Sequence, residues 1–98
     1  MKLRFLFPCL LAALLVEAAA PAETCTIEIT GPANQWKFVE VHDVAAGKVV
    51  LAEPIKVGQT RSVTVSGGQI RVDWKFAGYR KYRTGAVTPC KGGNRIRV

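Results

Sequence analysis

The residues best suited to contact chemistry gather in one stretch, Asp73-Trp74-Lys75-Phe76-Ala77-Gly78-Tyr79-Arg80-Lys81-Tyr82-Arg83, in which four cations interleave with four aromatic side chains. Guanidinium and ammonium groups set among rings suit sulfated or carboxylated sugars, lipid phosphates or nucleic-acid backbones, because the charge draws in the anion and ring faces stack on what carries it. The alternation of Ile70, Val72, Trp74 and Phe76 assigns both Trp74 and Phe76 to a buried face. The candidate binding residues are therefore Lys75, Tyr79, Arg80, Lys81 and Arg83, with the Tyr82 ring packing to anchor the returning strand. The competing reading is an edge hairpin whose cations discourage pairing with neighbouring chains.

Catalytic chemistry is harder to assemble. Glu40 and His42 stand two apart, so on a strand they share a face and form the one acid/base pair available. A hydrated strand end explains them more simply. Ser62, Thr64 and Ser66 share an outward face with no His or Lys on it. The H-E-x-x-H and G-x-S-x-G patterns are absent, and Gly67-Gly68 lacks the strand-to-helix setting of a phosphate-binding loop. An enzyme is not expected, nor is a cofactor.

Three cysteines occur, at positions 9, 25 and 90. Lys2 and Arg4, the apolar run from Phe5 to Val16 and the small-residue stretch Ala18 to Ala22 read as an export leader cleaved after Ala22. Such a run is shorter than the roughly 20 residues a membrane-spanning helix takes. Cleavage removes Cys9 and leaves residues 23–98 as a single domain with an even pair, Cys25 and Cys90, which an exported chain joins as a disulfide. A metal shell built on those two sulfurs would have only His42 to complete it, so no metal site is expected. Without Lys2, Arg4 and Glu17 the chain holds 12 Lys and Arg against 6 Asp and Glu, a formal charge of +6. A charge of that size favours anionic partners by long-range attraction.

These groups must be positioned by strands. From Cys25 onward short alternating runs are separated by Gly, Pro and Asn. Cys25, Ile27 and Ile29 share one face. Trp36 to Val41 is apolar on both faces, which suits a central strand or one with a face-switching bulge. Lys48 to Ala52 reads as a strand halted by Pro54. Arg61, Val63 and Val65 alternate with Ser62, Thr64 and Ser66, and Gly67-Gly68 offers a two-residue primed hairpin into Ile70-Phe76. The chain turns at Ala77-Gly78, resumes over Tyr82 to Val87, stops at Pro89, and turns at Gly92-Gly93 into Arg95-Val98. About seven short strands with frequent turns predict a small antiparallel β-sandwich of immunoglobulin-like character with one disulfide; a closed barrel is the alternative.

The function these features point to is a non-catalytic, exported binding module, periplasmic or secreted. Its basic hairpin would contact an anionic polysaccharide, a lipid headgroup or an acidic protein surface. The alternative is a protein-interaction subunit or inhibitor in the cell envelope.

Overall fold

The computed structural model describes residues 22–98. The expected leader lies outside the described residues, apart from Ala22. Eight strands follow one another: β1 (Ala22–Glu28), β2 (Trp36–Asp43), β3 (Lys48–Lys56), β4 (Thr60–Ser66), β5 (Gln69–Phe76), β6 (Arg83–Thr84), β7 (Thr88–Pro89) and β8 (Asn94–Arg97). They make two sheets, one ordered β4-β1-β8 and the other β3-β2-β5-β6, with β7 also paired to β5. The all-β architecture with packed, mainly antiparallel sheets matches the strand periodicity of the sequence.

Alternation determines which side chains meet between the sheets. Ile27 of β1 and Ile29, just past its end, meet Val39, Val41, Ile55 and Ile70 from the second sheet, all essentially without solvent contact. Burying such a side chain stabilises the fold by about 1.5–3 kcal/mol. Cys25 and Cys90 are equally buried and joined as the expected disulfide, with Cα atoms 5.0 Å apart. Cys25 lies on β1, the middle strand of its sheet, and Cys90 lies on the segment that leaves β7 of the other sheet for β8. The bridge thus ties the first strand to the approach of the last.

Several expectations need correction. The Gly67-Gly68 turn has φ of 75° and 69°, the positive values a primed turn needs and only glycine adopts cheaply. It nevertheless does not close a hairpin, because β4 pairs with β1 and β5 pairs with β2. The turn is a corner between sheets. Other partners hold it: the Ser66 N–H donates to Asp43 Oδ2 at 3.0 Å, and the Cys90 N–H donates to the Gly68 carbonyl at 2.8 Å. β3 runs through Pro54 to Lys56 instead of halting, since it is an edge strand, where a missing N–H that faces solvent breaks no ladder bond. The segment expected as a strand from Tyr82 to Val87 pairs only at Arg83–Thr84, and Pro89 falls within β7. β8 runs parallel to β1, against the antiparallel expectation. β2 is central in its sheet but alternates without a break: Lys37, Val39, Val41 and Asp43 point inward, and Trp36 and Phe38 lie on the open outer face. The one register shift, beside Val41/His42, leaves Val50 of β3 as the extra residue, so no face-switching bulge in β2 explains its double apolar pattern.

Asp43 is the polar centre of the corner. Its carboxylate is buried and accepts the Ala46 N–H at 3.2 Å, the Ser66 N–H and the Ser66 hydroxyl. The Ser66 N–H leads in holding its carboxyl below the ordinary aspartate value of 3.8, outweighing burial, which pushes the other way. A carboxyl depressed in the folded state adds stability above its unfolded value, and that stability is lost as pH falls through the folded one. Thermal melts followed by circular dichroism should therefore show stability falling as the pH drops below about 4. Asp43→Asn should flatten that dependence. An unchanged acid slope in this variant would show that Asp43 does not carry it.

Candidate functional site

The antiparallel ladder between β2 and β5 sets Lys37 against Phe76 and Phe38 against Lys75. This register brings Trp36 and Phe38, some forty residues away in the chain, to the end of the sheet from which the basic stretch emerges. All six aromatic residues of positions 22–98 (Trp36, Phe38, Trp74, Phe76, Tyr79 and Tyr82) belong to this end. Local sequence reading missed Trp36, Phe38 and Lys37 as neighbours of the basic stretch. The signal that could have found them is the matching position of their strand's aromatic end.

Successive side chains on a strand point to opposite faces, so the end has two aromatic groups. On the outer face the Phe38 and Tyr82 rings meet edge-on at 6.4 Å, and Lys75 Nζ lies 5.0 Å from the Tyr82 centroid and 5.9 Å from that of Phe38. Tyr82 thus anchors the returning strand as expected. Facing the other sheet, Trp74 and Phe76 meet edge-on at 5.2 Å and Phe76 tilts against Tyr79 at 6.1 Å. Trp74 packs against the core but is only half-buried, as is Phe76, so neither belongs to the sealed interior the alternation predicts. They lie at the open end, under cations. Lys37 Nζ is 3.8 Å from the Trp74 centroid, and the Arg83 guanidinium lies 5.6 Å from it.

Lys37 is the unexpected member. It is buried, on the same face as Val39 and Val41, and its ammonium donates to the Val98 main-chain oxygen at 3.1 Å. Burial leads in holding its pKa below the ordinary lysine value, and the positive charge of Arg83 pushes the same way. Its ring contact and carbonyl bond assign it to the scaffold, beneath the surface.

The five candidate residues are therefore divided by the fold. Lys75 belongs to the outer face and Arg83 covers Trp74 on the other. Tyr79, Arg80 and Lys81 occupy the exposed six-residue loop 77–82 between β5 and β6, with Tyr79 67% exposed. None of Lys75, Arg80, Lys81 and Arg83 has an ionic partner among the described residues. Arg61, Arg71, Arg95 and Arg97 do, in Glu53, Asp73 and Glu28.

Glu40 and His42 do converge, on the outer face further along β2. His42 Nε2 stands 3.0 Å from Glu40 Oε1 and 3.3 Å from Asp73 Oδ2. Asp73 lies across the ladder from Glu40 and is held by Arg71, whose Nε and terminal nitrogen donate to Oδ1 and Oδ2 at 3.1 and 3.0 Å. Burial pushes the Asp73 carboxyl up, but Arg71, with help from His42 and the Gly85 N–H, brings it below the ordinary value. Tyr82 is pushed above the ordinary phenol value, first by burial and then by the charges of Glu40 and Asp73. A cleft of about 160 Å³ lined by Val72, Trp74, Gly85, Ile96 and Val98, among others, opens from the inward side of β5, away from this cluster. Gly85 fits there because a Cβ would stand 2.6 Å from the Val72 carbonyl oxygen.

Comparison of the chain with protein-family models, with curated proteins and with solved structures finds no match.

Proposed function

We propose that this protein is a non-catalytic binding module that works outside the cytoplasm and grips an anionic polymer with the basic, aromatic end of its larger sheet. The observation that carries this reading is where the unpaired cations gather: of the eight described Lys and Arg without a side-chain carboxylate partner, Lys37, Lys56, Lys75, Arg80, Lys81 and Arg83 belong to this end and Lys48 and Lys91 lie elsewhere, while Arg61, Arg71, Arg95 and Arg97 are paired. Cations left unneutralised at one end project a field that an extended polyanion follows, and exposed rings among them offer stacking faces to its sugars or bases. Lys56, across from Trp36 in the ladder, adds charge to the same end.

Export is supported by the disulfide, since such bonds persist chiefly in oxidising compartments. Among the described residues no helix is long and apolar enough to cross a membrane.

Heparin serves as the test polymer. Retention at low ionic strength should fall steeply with added salt, because surface attraction is screened within about 10 Å at 0.1 M. Weak retention that salt leaves unaltered would contradict the proposal. Should the protein ignore heparin and anionic vesicles but recover a stoichiometric acidic protein from the envelope fraction, the interaction-subunit reading would replace it.

A further inference from the structure

The Glu40–His42–Asp73 cluster has a geometry that the binding reading leaves unused. Three ligand types converge on one point of the outer sheet face: an imidazole nitrogen and two carboxylate oxygens, all within 4.8 Å of one another. Two come from one face of β2 and the third from the directly opposed position on β5, so a hydrogen-bonded ladder fixes their spacing. Zinc binds imidazole nitrogen and carboxylate oxygen at about 2.0–2.2 Å, and tetrahedral angles then separate neighbouring ligand atoms by about 3.4 Å. His42 Nε2 already stands 3.0 and 3.3 Å from its two neighbours. Those two separations are close to coordination edges, and the third pair of ligand atoms lies within 4.8 Å, so small side-chain shifts would complete the geometry.

We infer that Glu40, His42 and Asp73 form a binding site for a divalent transition-metal ion of zinc size, with a fourth position open to water.

The surroundings suit that role. The side chains of Asp73, His42 and Glu40 are 10%, 24% and 31% exposed, so the site is walled on the sheet side and open on the other. Arg71 Nε donates to Asp73 Oδ1, the oxygen facing away from His42, and so supplies the outer hydrogen bond that orients a ligating carboxylate. Its terminal nitrogen shares Oδ2, the oxygen the metal would take, and would have to withdraw a short way while the Nε contact stays. With His42 neutral, two carboxylates and one guanidinium leave the cluster at net −1, a charge that attracts a dication. Three ligands with a cation close by make a weaker site than a closed four-ligand shell.

The test titrates Zn²⁺ into the tag-free, disulfide-bonded protein by calorimetry, and Co²⁺ followed by visible absorption, in which tetrahedral cobalt absorbs far more strongly than octahedral cobalt. One ion per chain is expected, with tetrahedral-type cobalt bands. His42→Ala and Glu40→Gln should each weaken uptake at least about tenfold. Two variants are used because Glu40 is the more exposed ligand and Gln preserves its shape, so a folded variant remains if His42→Ala proves unstable. No saturable uptake by the native protein, or uptake that either folded variant leaves unaltered, would overturn the site. The result is independent of heparin retention, which depends on the loop at the end of the sheet.

Discussion

Replacing Cys25 and Cys90 together with alanine should lower the unfolding free energy by about 4 kcal/mol, the largest loss expected from any change that leaves the core otherwise intact. The two cysteines are 65 positions apart, so the bond closes a ring that takes in most of the described chain. Loop-closure entropy withheld from the unfolded chain accounts for the figure. The size of the domain makes the loss decisive. Stability of roughly 0.05–0.15 kcal/mol per residue gives a domain of this length only about 4–12 kcal/mol in all. The native fold also depends on the bridge locally, because β7 and β6 are two-residue pairings and β8 has β1 as its one sheet neighbour. Urea titration should show the midpoint of the double variant displaced far toward low denaturant, with partial unfolding at 37 °C. An unfolding free energy within about 0.5 kcal/mol of that of the native protein, the spread of ordinary surface changes, would show that the bridge is incidental.

The second large effect is on binding. Arg80→Ser, Lys81→Ser and Arg83→Ser together should weaken attachment to an anionic surface by about 3 kcal/mol at low salt, on the order of a hundredfold, at roughly 1 kcal/mol for each cation near such a surface. The fold should tolerate the change. Arg80 and Lys81 are exposed and make no hydrogen bond with other described groups. Arg83 gives up only its contact over Trp74, worth about 0.5–1 kcal/mol at an exposed site. Its main chain still pairs with that of Trp74. Equilibrium binding to heparin at two salt concentrations, with a melting curve beside it, separates lost affinity from lost structure. Retained affinity in a folded triple variant would remove the loop from the site.

The strand class was legible because period-two alternation is local: β1, β4 and β5 each declare their buried face in six or seven residues. The disulfide was legible from the cysteine count together with the expected export leader. Pairing between distant strands was not. Gly67-Gly68 carries the same turn signal whether it closes a hairpin or rounds a corner, and only the partners of Asp43, Ser66 and Cys90 decide which. Lys37, Asp43 and Asp73 are of types usually solvated, so nothing in their local sequence marks them as buried. Each is buried here with a specific partner: a ring and a carbonyl for Lys37, two N–H groups for Asp43, a guanidinium for Asp73. Of the site, the basic loop was readable as a run of residue types. The union of Trp36 and Phe38 with it, and of Asp73 with Glu40 and His42, is a property of the β2–β5 register, which no single segment encodes.

Whether placement or mere total charge governs binding is decided by comparing two variants that each lose three cations. One carries the Arg80, Lys81 and Arg83 changes; the other carries Lys48→Ser, Lys91→Ser and Arg95→Ser, at positions away from the aromatic end. Measured side by side on heparin at matched salt, the first should lose most of its retention and the second should stay close to the native protein. Equal losses in the two would mean that the protein is merely basic and that its aromatic end is no binding site.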